Sequence, residues 1–105
     1  MYGLIGKIIA TAEQRDTLID ILQAGTVHMP GCFSYVIAKD STDANAIWIT
    51  EVWESASHHR ASLNLPAVQQ AIAQGRALIA GFGERFETQP VGGHGLVAHV
   101  QEGDS

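Results

Sequence analysis

From Tyr2 to Thr11 the chain is almost wholly apolar or β-branched, and an extended backbone sends Ile5 and Ile9 to one side and Leu4, Ile8 and Ala10 to the other. That run predicts a strand buried on both faces. Thr11-Ala12-Glu13-Gln14 then has the spacing of a capping box, in which the Thr11 hydroxyl accepts from the third helical N–H and Gln14 reaches back. Leu18, Ile21 and Leu22 recur at helical spacing, and Gly25 is expected to end that helix in a left-handed conformation. After the turn chemistry of Met29-Pro30-Gly31 the period falls to two, with Phe33, Tyr35 and Ile37 alternating against Cys32, Ser34, Val36 and Ala38.

Polar Asp40 to Asn45 reverses the chain into a third strand, Ala46 to Glu54, with Ile47, Ile49, Glu51 and Trp53 on one face. Two helical segments follow, the first capped by Ser55 or Ser57 and the second opened by Pro66, and Val68, Ile72, Gly75 and Ile79 keep one apolar stripe. Gly81 to Thr88 is the last predicted strand, with Phe82, Glu84 and Phe86 sharing a face. From Gln89 the chain turns rich in Pro and Gly and then polar. Residues 1–90 are therefore expected to form one domain, and 91–105 a tail or an arm that grips a partner.

The order strand, helix, strand, strand, helices, strand predicts an α+β fold of the ferredoxin-like, split βαβ kind, a four-stranded antiparallel sheet with every helix on one face. The other face would be bare, yet strands one and two carry large apolar side chains on both sides. A second copy packed sheet to sheet is the simplest cover, giving a two-fold homodimer.

Composition narrows the partners. Six basic against eleven acidic residues give a net charge of -5 over 105 residues. With no run of Lys or Arg, neither nucleic acid nor an anionic membrane surface is an expected partner. Cys32 is the single cysteine, so one chain can build neither a disulfide framework nor a thiolate metal cluster, and a reducing cytoplasm is the expected location. No basic-then-apolar leader opens the chain and no apolar run is long enough to span a bilayer.

At Gly31-Cys32-Phe33-Ser34-Tyr35 and Thr50-Glu51-Val52-Trp53-Glu54-Ser55 the sequence resembles the antibiotic biosynthesis monooxygenase family, with its Gly-Cys-x-x-Tyr entry to strand two and its Glu-Val-Trp end of strand three. Leu65-Pro66-Ala67-Val68 stands where the family often has Ser-Pro-His, and Gly75 to Gly83 looks like a subset of its members. The resemblance runs over residues 3–90. It implies a dimeric α/β-barrel and a small hydrophobic, often aromatic, substrate held between helices and sheet. The chemistries it implies range from quinol or anthrone oxidation to haem breakdown. Two departures stand out. Ser62 occupies the place, nine residues after Trp53, where members often carry His, while His58 and His59 lie one helical turn earlier. Haem-degrading relatives use an Asn on strand one, where this chain has Ile5, Gly6 and Lys7, so haem ranks last among the implied ligands.

The candidate chemistry lies near that motif. A neutral imidazole from His58 or His59 can take the proton from a phenol, leaving an anion rich enough to give an electron to dioxygen. Adjacent histidines diverge by about 100° on a helix, and no Cys, Asp or Glu joins them at a ligand spacing, so no metal is expected. Glu51, ionisable on an apolar strand face, is either a base with a raised pKa or a carboxylate paired with Lys7 or Arg85. Trp53 is a ring-stacking wall or a core residue, and Tyr35 orients a quinol hydroxyl or fills the sheet interface. Arg76 is expected to bond the carbonyls ending its helix. Gly92-Gly93-His94-Gly95 is no phosphate loop, and His94 and His99 are expected to be solvated. Together these point to a cofactor-independent monooxygenase using dioxygen on a quinol-like or phenolic aromatic. The alternatives are a non-catalytic small-molecule binding protein on the same fold and, last, a haem-degrading enzyme.

Overall fold

The structure, a computed structural model, describes residues 1–96; His99 and the rest of the expected tail beyond Leu96 lie outside them. Strands β1 (Tyr2–Ala10), β2 (Cys32–Lys39), β3 (Ala46–Trp53) and β4 (Ile79–Thr88) form one antiparallel sheet in the order β2-β3-β1-β4. Helices α1 (Arg15–Gly25), α2 (Ala56–Ser62) and α3 (Pro66–Gly75) cover one face of it, and a short 3-10 turn, Arg76–Leu78, leads into β4. This is the ferredoxin-like α+β fold. None of the described helices is long and apolar enough to cross a membrane.

The strand alternation does what the sequence requires of it. Ala10, Ile47 and Ile49 meet Leu18 of α1 in the core, with Ile8, Tyr35 and Ile37 packed against them. Leu18, Ile47 and Trp53 are the largest side chains fully withdrawn from solvent. Ile5 and Ile9 point the other way, and on that bare face Val36 and Phe86 are about half exposed. Between β2 and β3 the Asp40 carboxylate accepts from the N–H groups of Thr42 and Asp43, the Thr42 hydroxyl and the Trp48 indole. The Asp43 N–H bond, with the others behind it, holds that carboxyl well below the usual carboxylate range.

Four local expectations are corrected. The capping box does not form: Thr11 stays tied to the sheet through its N–H to the Leu78 carbonyl, and Glu13 adopts a left-handed φ of 67° that a helix cannot accommodate. The helix therefore begins at Arg15, with no side-chain cap. Gly25 is not the left-handed terminator either; it is the buried last residue of α1, and Gly31, at φ 80°, is the left-handed glycine before β2. Strand β4 begins at Ile79, paired with Ala10, two residues earlier than expected. Finally, the register between β1 and β4 slips between Gly6 and Ile8, pairing Phe82 with Ile8 and Phe86 with Ile5. An inserted residue reverses side-chain parity, so the two phenylalanines lie on opposite faces of the sheet.

Glycine at position 25 is required by the neighbouring helix. A Cβ there would sit 2.5 Å from the Ala71 Cβ and 3.1 Å from the Ala67 carbonyl oxygen. Gly25→Ala is therefore expected to lower stability by about 1–3 kcal/mol in urea unfolding, although alanine is the better helix former by roughly 1 kcal/mol. Pairing it with Ala71→Gly should recover most of the loss. An unchanged unfolding midpoint for the single variant would contradict the close approach of α1 and α3.

Candidate functional site

Because β3 alternates strictly, Glu51 and Trp53 both project toward the helices, and Tyr35, which pairs with Glu51 across β2, projects with them. The next turn of chain brings α2 over this end of the sheet. Ser55 caps it, its hydroxyl accepting from the His58 N–H at 3.2 Å. That start fixes the rotation of the helix and so separates the two adjacent histidines.

His59 turns inward. Its Nε2 lies 3.8 Å from Glu51 Oε1, and its ring meets the Trp53 ring edge-on with centroids 5.5 Å apart and the Tyr2 ring at 5.8 Å. His58 turns away: Nδ1 shares a 2.7 Å hydrogen bond with the Ser55 hydroxyl and Nε2 lies 3.1 Å from Glu54. Its ring packs over Gly31, where any Cβ would strike it. Of the two candidates only His59 reaches the cavity.

That cavity, about 170 Å³, is enclosed by Glu51, Trp53, Tyr35 and His59 on one side and by Met29, Ser62 and Ile72 on the other. Glu51 is an acceptor for the Trp53 indole N–H at 2.9 Å. The expected partners Lys7 and Arg85 do not hold it. Lys7 sits on the other parity of β1, over the Trp48 ring and 4.0 Å from Glu84, and Arg85 pairs with Glu87, acting on Glu51 only through its field. Burial pushes the Glu51 carboxyl up from its ordinary range, against the lowering effects of the Trp53 hydrogen bond and the nearby His59 and Arg85 charges. Burial, with Glu51 and Cys32 beside it, also drives the Tyr35 phenol far up. Its hydroxyl therefore stays protonated at any physiological pH and, among the described residues, has no hydrogen-bond partner.

Trp53 has 0% of its surface exposed. It closes the floor of the cavity and holds Glu51, rather than offering an open face for stacking. Sequence reasoning passed over Tyr2 as a site residue and noted Ser62 only as a departure from the family's histidine. Tyr2, across the sheet from Trp53, flanks His59 and donates to Glu87 at 3.0 Å. Ser62 is buried at the cavity wall, but its hydroxyl is spent on the His59 carbonyl at 2.6 Å. The alternation that placed Glu51 inward also placed Tyr2, which was the available signal.

A second cavity of about 530 Å³ adjoins the first and shares Leu22, Ala71 and Ile72 with it. It runs beneath α1 and α3 to β4, and apart from Arg76 its walls are apolar. Since binding sites for drug-sized ligands occupy about 300–1,000 Å³, the smaller cavity alone admits little more than one ring, and a larger guest would extend past Leu22 and Ile72. Among the described residues no three His, Cys, Asp or Glu side chains converge as a metal site would require.

Comparison with known proteins bears on this arrangement. Residues 1–74 match the sequence model of a family described as antibiotic biosynthesis monooxygenase. A crystal structure from Chloroflexus aurantiacus, provisionally described as such a monooxygenase, is 63% identical, covers 90% of this chain and 97% of its own, and superposes with a TM-score of 0.88. A similarly described structure from Deinococcus radiodurans is 26% identical, covering 89% of this chain and 95% of its own at a TM-score of 0.72. One from Nitrosomonas europaea, at 10% identity, covers 88% of this chain and 100% of its own and shares the fold with a TM-score of 0.78. No curated protein matches the chain.

The raised Glu51 carboxyl has a consequence for stability. A carboxylate whose folded pKa exceeds its unfolded value costs the folded state at pH above both, and the cost fades as pH falls through the raised value. Glu51→Gln, which can still accept from the Trp53 indole, should therefore raise the thermal midpoint at neutral and alkaline pH. Thermal scans across pH should show that gain shrinking toward the ordinary carboxylate range. A variant destabilised at every pH would mean the charge is compensated.

Proposed function

This chain belongs to the antibiotic biosynthesis monooxygenase family, and from that premise we propose that it oxidises a phenolic, quinol-like aromatic with dioxygen and no bound cofactor. The observation that carries this reading is the His59–Glu51 pair, 3.8 Å apart at the edge of an apolar cavity. His59 Nε2 takes the phenol proton, and Glu51 stabilises the resulting imidazolium while the Trp53 indole fixes the carboxylate in place. The Tyr35 hydroxyl, unengaged by other described residues, donates to the substrate oxygen.

The anion so formed gives one electron to dioxygen, and the two radicals join in a C–O bond at an activated ring carbon. The peroxide recovers the proton from His59. The hydrogen on that carbon then leaves with the distal oxygen as water, and a carbonyl remains. One oxygen atom ends in the quinone and the other in water, the four electrons coming from the substrate. The protein's share is a base, an orienting hydroxyl and a site that excludes water.

Non-catalytic binding remains the second reading, favoured by the engaged hydroxyl of Ser62, which offers no second proton-transfer group. Oxygen uptake by the purified, chelator-treated protein over a panel of reduced quinones separates the two. Uptake above buffer is expected, with His59→Ala slower by about 10²–10⁴-fold and His58→Ala close to the parent. Saturable ligand binding without any uptake would leave only the binding reading.

The same proposal includes a homodimer joined through the bare sheet face, supported by the half-exposed Val36 and Phe86 beside Ile5 and Ile9. Sedimentation should give a dimer at micromolar protein, and Phe86→Asp should shift it toward the single chain. A parent protein that sediments as one subunit would refute this association.

A further inference from the structure

The larger cavity is almost purely apolar, and its one cation is Arg76. Every other basic side chain near the groove is already engaged: Lys7 faces Glu84 and the Trp48 ring, and Arg85 faces Glu87. Among the described residues Arg76 has neither an acidic partner nor a side-chain hydrogen bond. The expectation that it bonds the carbonyls ending α3 is met only by its backbone, whose N–H reaches the Ile72 carbonyl, and the residue stands exposed at the cavity wall. A guanidinium is weakly hydrated, planar and built for two parallel hydrogen bonds to a carboxylate.

We propose that the ligand of this groove is an aromatic acid: its flat apolar body lies under α1 and α3, and its carboxylate is held by Arg76. The inference rests on reading the Glu51–His59 cavity as the substrate site, because the two cavities adjoin and share Leu22, Ala71 and Ile72 as walls. It places the reacting ring at His59 and the acid group at the opposite end, which fixes the orientation of the guest. The net charge of -5 works against any anion approaching the protein as a whole, so a preference for an acid over its neutral counterpart must arise locally. Overpacked or rotated ligands, with the acid toward Glu51, would meet a like charge.

The test uses two fluorescent probes of equal shape, 9-anthracenecarboxylate and 9-anthracenemethanol, titrated into the full chain at low salt. The parent should bind the acid about tenfold more tightly than the alcohol, the difference expected of one charge-assisted hydrogen-bonded contact. Arg76→Gln should remove that preference by weakening the acid alone, and Arg76→Lys should restore part of it. Equal affinity for the two probes in the parent, a preference that survives Arg76→Gln, or no binding of either probe at millimolar concentration would each overturn the inference. The readout is binding, so a carboxylate preference without oxygen uptake would dispose of the proposed oxidation and leave the arginine site standing.

Discussion

Helices α1 and α3 pack closely against each other, and the larger cavity lies beneath them and beside β4. Gly25 and Ala71 bring the two backbones together at a point where no larger side chain fits, and Leu18 presses to within 3.0 Å of the place a Cβ on Gly75 would occupy. Leu18 is the α1 residue fully withdrawn into the core, with Ile19 and Leu22 packed beside it, and the larger cavity opens between these side chains and β4. A tighter fit between helix and strand would have filled the space that the proposed guest requires.

Inside that space the polar groups depend on one another. Glu51 is tolerable in an apolar wall because the Trp53 indole donates to it and a histidine stands nearby. Trp53 in turn is fully buried, so its own N–H would be an orphan without Glu51. Removing either partner leaves the other unsatisfied. His59 is held between the Trp53 and Tyr2 rings, which limits its rotation while its Nε2 stays directed at the carboxylate. A carboxyl raised by burial beside a held imidazole costs the folded state stability, and that is the geometry the proposed proton transfer needs.

Much of this was legible in the sequence, because the signals were periodic. The strand alternation gave the faces of Ile47, Ile49, Glu51 and Trp53, and the Ser55 and Pro66 starts fixed α2 and α3. What escaped was non-periodic. A left-handed Glu13 displaces the start of α1 by several residues, and nothing in Thr11-Ala12-Glu13-Gln14 announces it. Gly25 looked like a terminator because local sequence cannot reveal a neighbour that arrives forty-six residues later in the chain. His58 and His59 were indistinguishable until the cap at Ser55 set the phase of a seven-residue helix. The missing partner of Glu51 was its second neighbour along the same strand, a contact set by the side-chain torsions of Trp53 and not by the alternation alone.

The register slip in β4 bears on a different matter, the behaviour of newly made chains. An edge strand carrying two phenylalanines on one side would present a greasy ribbon with free backbone donors and acceptors, inviting uncontrolled stacking with its neighbours. Because the slip sends Phe82 and Phe86 to opposite sides, with Glu84 and Arg85 between them and Glu87 after, no side of β4 carries both rings. An edge strand patterned in this way offers less apolar surface on either side for edge-to-edge pairing of newly made chains.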